Sequence, residues 1–178
     1  AAAAKHLLGR DPFDVEVLWL QPDGGLSYVP GYGDPEAEQL RREWLPFCFS
    51  ATGDVRARVV FVGYGITAPD LHYDDYAGLD VRGKIVLAMT REPRSQDPAS
   101  PFRRPEAYHY SQRNHKIINA REHGARGILL VTHPSADTEV LPALRGISQP
   151  GGILAAFITR AVGDSLLAPS GKRLGDFA

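Results

Sequence analysis

The sequence predicts an α/β fold built on a mixed sheet, and three observations carry that prediction. Two β-branched, apolar runs, 55–62 and 84–89, are each bounded by glycine and read as paired core strands. A helical pattern opening at Ser111 and closing at Gly124 leads at once into the apolar run 128–131, so 85–89 and 128–131 should pair in parallel across that crossover. A further apolar run, 154–158, is followed by Thr159, which can cap a short helix with Val162 and Leu166 turned inward.

Taken in chain order, 13–20 alternates as a strand does, and Pro22-Asp23-Gly24-Gly25 is a turn that can return the chain as a hairpin through 26–29. Asp34 can cap a helix with Pro35 at its first position, running to about Glu43, with Leu40 and Trp44 facing inward and Pro46 forbidding continuation. Cys48, between Phe47 and Phe49, reads as a small buried apolar residue. After the strand 55–62 and the glycines at 63 and 65, Pro69 bars a helix, and 73–77 has room only for a helical turn that buries its tyrosines and exposes Asp74 and Asp75. Segment 91–105, with four prolines and four arginines, reads as an exposed loop with no core role. On the helix that follows, Ile117, Ala120 and Ile118 form the expected buried side, while Arg113, Lys116 and Arg121 are expected in solvent. Residues 169–172 read as a closing loop.

The 178 residues suffice for one domain with a real core, and composition narrows the function classes. The net charge is −1, with 20 basic residues dispersed among 21 acids, so no basic stripe suits nucleic acid or an anionic bilayer. No apolar run approaches a membrane span, and the start, Ala1 to Ala4 then Lys5 and His6, lacks the regions of a signal peptide. The single cysteine allows no internal disulfide and says nothing of compartment.

Gly63-Tyr64-Gly65 with Ala68 has the spacing of a dinucleotide-binding fingerprint, but the helix that fingerprint requires is replaced by Pro69 and a polar loop. The glycines are better read as a bulge or tight packing at a strand end. His115 and His123 share a helix, yet eight residues separate them by about 12 Å of rise, too far for one ion. His123, in the last turn, suits the helix dipole, and His72, His109 and His133 show no zinc-ligand spacing. Asp74 and Asp75 point in different directions and lack the alternating oxygens of a calcium loop; one should cap a turn while the other meets solvent. No serine sits in a nucleophile elbow.

Four strings in fixed order, Val62-Gly-Tyr-Gly-Ile66, Tyr73-Asp-Asp-Tyr76, Gly83-Lys-Ile-Val-Leu87, and Asn119-Ala-Arg-Glu-His-Gly-Ala125 before Gly127-Ile-Leu-Leu-Val131, resemble the protease-associated (PA) domain inserted in zinc aminopeptidases of the M28 type. The resemblance covers 47–167 and is strongest over 59–131. It implies the PA fold, a mixed β-sandwich or half-open barrel flanked by a few helices, over 47–178, with 1–46 a hairpin and helix packed on it. It also implies that the zinc ligands belong to a separate catalytic domain of the same parent, a secreted or extracytoplasmic and bacterial aminopeptidase. This domain would then hold no cofactor, hydrolyse nothing, and gate or hold peptide substrate or mediate protein contacts. The candidate binding residues are Tyr64, His72, Tyr73, Asp74 and Tyr76 after the first core strand, with Arg103 and Arg104 on 91–105; packing is the competing role for the tyrosines. The alternatives are a stand-alone peptide- or sugar-binding module using 91–105, and an enzyme with a site assembled from His109, His115, Asp74 or Asp75.

Overall fold

The computed structural model describes residues 14–18, 43–47, 50–51, 53–139, 141 and 152–177. The expected hairpin return at 26–29, nearly all of the helix expected over 34–43, and Cys48 lie outside them. Eight strands are described: β1 Asp14–Leu18, β2 Trp44–Pro46, β3 Asp54–Phe61, β4 Thr67–Ala68, β5 Tyr73–Asp74, β6 Ile85–Met89, β7 Gly127–Val131 and β8 Leu154–Ile158. Two α-helices, α1 Arg113–Glu122 and α2 Arg160–Leu167, accompany short 3-10 turns.

Six strands form one mixed sheet in the order β1-β3-β6-β7-β8-β2. The four central strands are parallel, with Val60 opposite Val86, Leu87 opposite Leu129, and Leu129 opposite Ala156. β1 and β2 pair antiparallel on the two edges, against β3 and β8. Both expected pairings, of 55–62 with 84–89 and of 85–89 with 128–131, are present.

Every residue of β6, β7 and β8 is buried, as strands covered on both faces must be. Alternate residues go to opposite sides. Ile85, Leu87, Met89, Leu129 and Val131 join a core closed by Val162, Leu166 and Leu167 of α2. Val86, Ala88, Ile128 and Leu130 join a second core closed by Ile117 and Ala120 of α1. Thr159 caps α2 as expected, its hydroxyl accepting from the Val162 amide at 3.4 Å. Gly124 ends α1 in the left-handed region, at φ +84°, where a side chain would be strained.

Several expectations are corrected. Trp44 stands in β2, because antiparallel pairing with β8 extends the backbone there. Ser111 ends the 3-10 turn Pro105–Ser111, and α1 begins at Arg113. Lys116 is fully buried and Ile118 is exposed. Lys116 adjoins Ile117 and lies one turn before Ala120, so it shares their face, whereas Ile118 is rotated about 100° further round. Segment 91–105 contributes to a core: Phe102 is buried with Ile66, Ala68, Ala107 and Tyr110. Instead of a helical turn, 73–74 pairs with 67–68 as a two-stranded ribbon. Past Pro169, Leu174 returns to the α2 side of the core.

Candidate functional site

The parallel strands all end on one side of the sheet, the side on which open α/β sheets place ligands. Gly63 and Tyr64 follow β3, Thr90 to Glu92 follow β6, and Thr132 and His133 follow β7. The groups gathered there centre on Lys116. Its ammonium donates to three backbone carbonyls, Tyr64 O at 2.6 Å, Met89 O at 3.0 Å and Arg91 O at 2.5 Å. One buried cation therefore ties α1 to the chain leaving two neighbouring strands. Burial pushes its pKa down to about 7, opposed by the Asp75 and Glu92 carboxylates.

Asp75 holds the loop before it. Its Oδ2 accepts from the Tyr64 amide at 3.1 Å and the Ile66 amide at 3.0 Å, and its Oδ1 from the Tyr73 hydroxyl at 2.6 Å. The expectation that it meets solvent is corrected: the carboxylate is turned inward because it receives the Tyr73 hydroxyl and two amides that the glycine-rich loop would otherwise leave unpaired. Desolvation raises its pKa, against the hydrogen bonds and the charge of Lys116. Asp74 is the exposed member of the pair, and it caps the turn, accepting from the Tyr76 amide at 3.0 Å and the Thr67 hydroxyl at 2.9 Å.

Of the residues singled out in the sequence, Tyr64, Tyr73 and Tyr76 are brought together. Tyr64 stacks on His133 with centroids 5.6 Å apart, and its hydroxyl lies 3.1 Å from the His133 Nε2. His133 is buried, not in an open polar loop; its Nδ1 lies 2.8 Å from the Ser135 hydroxyl, and burial, then the charges of Arg91, Arg160 and Lys116, lower its pKa. Tyr73 meets Phe102 edge-on at 5.2 Å. Tyr76 is buried flat against His123 at 4.1 Å. Burial raises the pKa of all three tyrosines. His123 also reaches the Thr67 hydroxyl at 3.2 Å, a contact more specific than a dipole effect. His72 is exposed at φ +53° and stands apart from this network.

Arg103 lies elsewhere, on an open cleft of about 310 Å³ lined also by Glu92, Ser95, Phe102, Tyr108 and Ser111. Phe102 is the apolar floor and Tyr108 stands 67 % exposed. Arg103 donates to Ser95 O at 3.2 Å, and the Ser111 hydroxyl donates to Tyr108 O at 2.9 Å. Glu92 has no hydrogen bond or ion pair among the described residues. Arg104 is exposed and is not among the cleft residues.

His109 and His115 do approach, with centroids 5.2 Å apart, but Asp74 and Asp75 are engaged as described and do not join them. Among the described residues no three His, Cys, Asp or Glu side chains group so as to hold a metal ion, and no helix is long and apolar enough to cross a membrane.

Sequence reasoning missed Lys116, Asn119, His133 and Glu92. Helical spacing could have found two of them, since Lys116 and Asn119 flank Ile117 and Ala120 on the buried face. The Asn119 amide indeed donates to Gly65 O at 3.0 Å. Nothing local marks His133 or Glu92.

The PA domain family model matches residues 51–166. No curated protein matches the chain. Among solved structures, an aminopeptidase from Aneurinibacillus sp. strain AM-1 is 27 % identical, with a TM-score of 0.48 over 74 % of this chain and 26 % of that one. The zinc aminopeptidase BSAP from Bacillus subtilis is 15 % identical, with a TM-score of 0.38 over 74 % of this chain and 29 % of that one. The chain thus spans less than a third of the length of either.

Proposed function

This chain belongs to the PA domain family, and from that premise we propose that it is the non-catalytic accessory module of an M28-type zinc aminopeptidase, which holds peptide substrate or limits its access. The observation that carries this reading is the state of the groups gathered at the strand ends, all but His133 within 59–131, where the sequence resemblance is strongest. Lys116, Asp75, Tyr64 and His133 are all committed to contacts within the fold. An acid, base or nucleophile needs a free atom directed at substrate. These side chains brace loops instead, and Lys116 holds Arg91 O, next in the chain to the cleft residue Glu92. Zinc chemistry then belongs to the catalytic domain of the parent, which the proposal places outside the cell of a bacterium. The division of the chain into an extension, 1–46, and a module, 47–178, is part of the same proposal.

Hydrolysis of aminoacyl-nitroanilides by the purified chain, with and without added zinc, is the direct test. No turnover is expected in either condition. Zinc-dependent turnover that copurifies with the chain would overturn the proposal.

The cleft favours a second reading, a module that binds peptide or sugar without a catalytic partner. Deleting 91–105 would not test it cleanly, because Phe102 is part of the core. Substitutions at the cleft surface are the suitable probe.

A further inference from the structure

The cleft beside Arg103 joins three features that a neutral surface does not need together. Glu92 is half-buried and its carboxylate is unpartnered among the described residues. Its oxygens still reach water, and a carboxylate without a hydrogen-bond partner in the protein gains by meeting a donor or a cation. Tyr108 presents most of its ring to solvent on the same cleft. Exposed aromatic faces attract cations by about 0.5–1 kcal/mol, and more when water is excluded. Arg103 spends one N–H on Ser95 O. A guanidinium carries five such donors, so others remain for a carbonyl or carboxylate.

Resting on the reading of this chain as a module that holds peptide, we propose that the cleft is a subsite for a primary ammonium group of a peptide. Glu92 takes the charge, Tyr108 covers it, and Arg103 takes a peptide carbonyl or carboxylate beside it. The floor is Phe102, braced edge-on by Tyr73 and Tyr110 at centroid distances of 5.2 and 6.3 Å, so the cleft has a rigid base. Lys116 is near enough for its charge to act on Glu92 but gives it no hydrogen bond, because all three of its ammonium protons are directed at carbonyl oxygens. The ammonium can be an α-amino terminus or a lysine side chain, and both share the chemistry that the cleft offers.

Three peptides separate the outcomes when titrated into the purified full chain and followed by calorimetry and amide chemical shifts: Ala-Ala-Ala-amide, acetyl-Ala-Lys-Ala-amide and acetyl-Ala-Ala-Ala-amide. The first, the second or both should bind, with shifts centred on 92–111, and the neutral acetylated peptide should bind at least tenfold more weakly. Preference for the first assigns the subsite to the peptide terminus, and preference for the second assigns it to lysine. Glu92→Gln, which keeps size and polarity, should weaken the charged peptides about tenfold, and Tyr108→Ala severalfold. Far-UV circular dichroism verifies that each variant is folded. Equal binding of all three peptides, no binding of any, or unchanged affinity in Glu92→Gln would overturn the proposal. Those failures leave the hydrolysis result untouched, so the subsite can fail while the accessory role stands.

Discussion

Lys116→Ala is expected to lower the stability of the fold by about 3–5 kcal/mol, from truncating a fully buried side chain and leaving buried carbonyls without a donor. The reason is specific. Tyr64 O, Met89 O and Arg91 O all take their donor from this one ammonium, and an unsatisfied buried carbonyl costs about 1–3 kcal/mol before relaxation. Lys116→Met keeps most of the volume and removes the cost of burying a charge, so it should lose less than alanine while still loosening the loops after β3 and β6. The pH dependence separates charge from packing. With its folded pKa lowered to about 7, Lys116 binds fewer protons in the fold than in the unfolded chain between pH 7 and the ordinary lysine value near 10.4. Stability from this group therefore rises with pH across that window, with a slope approaching about 1.4 kcal/mol per pH unit. Tyr64, Tyr73 and Tyr76 act in the opposite sense above pH 10, because their raised pKa values keep them protonated in the fold when they would ionise in the unfolded chain. Urea midpoints from pH 6 to 9.5 should therefore rise in the wild type relative to Lys116→Met. Parallel curves for the two proteins would mean that the ammonium form is held equally well in both states, and the lysine argument would fail.

The difference between what the sequence disclosed and what it withheld follows from the range of the interactions. The central strands were legible because 85–89, 128–131 and 154–158 are buried on both faces and so read as continuous apolar runs. Gly124 and Thr159 were legible as helix signals because capping is settled within a few residues. The sequence places Lys116 in solvent because a lysine is seldom fully buried. Its partners lie 25, 27 and 52 residues away in the chain, and three carbonyls must converge before such burial is tolerable. Phe102 was misjudged for a related reason. The prolines and arginines around it describe the surface of the loop, whereas Ile66 and Ala68, which it packs against, belong to a distant segment. The cleft was half legible: Arg103 was singled out, but Glu92 and Tyr108 become relevant only once the 3-10 turns Pro101–Arg103 and Pro105–Ser111 fold beside the end of β6.

Gly63→Ala is expected to cost about 2–4 kcal/mol, more than alanine costs at Gly83, and the difference reports on Asp75. Both glycines have left-handed backbones, at φ +59° and +73°, which penalise an L side chain by about 1–2 kcal/mol. At Gly83 an added Cβ meets nothing within 4 Å, so that backbone penalty is the whole expected effect. At Gly63 the same Cβ would stand 2.7 Å from the Asp75 Oδ1, closer than contact allows. The carboxylate cannot retreat freely, since it is held by the Tyr73 hydroxyl and by the amides of Tyr64 and Ile66. Relief of the clash must stretch one or more of those bonds, which accounts for the additional 1–2 kcal/mol or so. A double-mutant cycle with Asp75→Ala isolates this contribution. Asp75→Ala is itself destabilising, because it leaves three donors without an acceptor, but it removes the atom that the new Cβ strikes. In that background Gly63→Ala should cost no more than Gly83→Ala does in the wild type. If Gly63→Ala costs the same with and without the aspartate, the loop can shift the carboxylate at no expense, and Asp75 does not fix the geometry of the strand end.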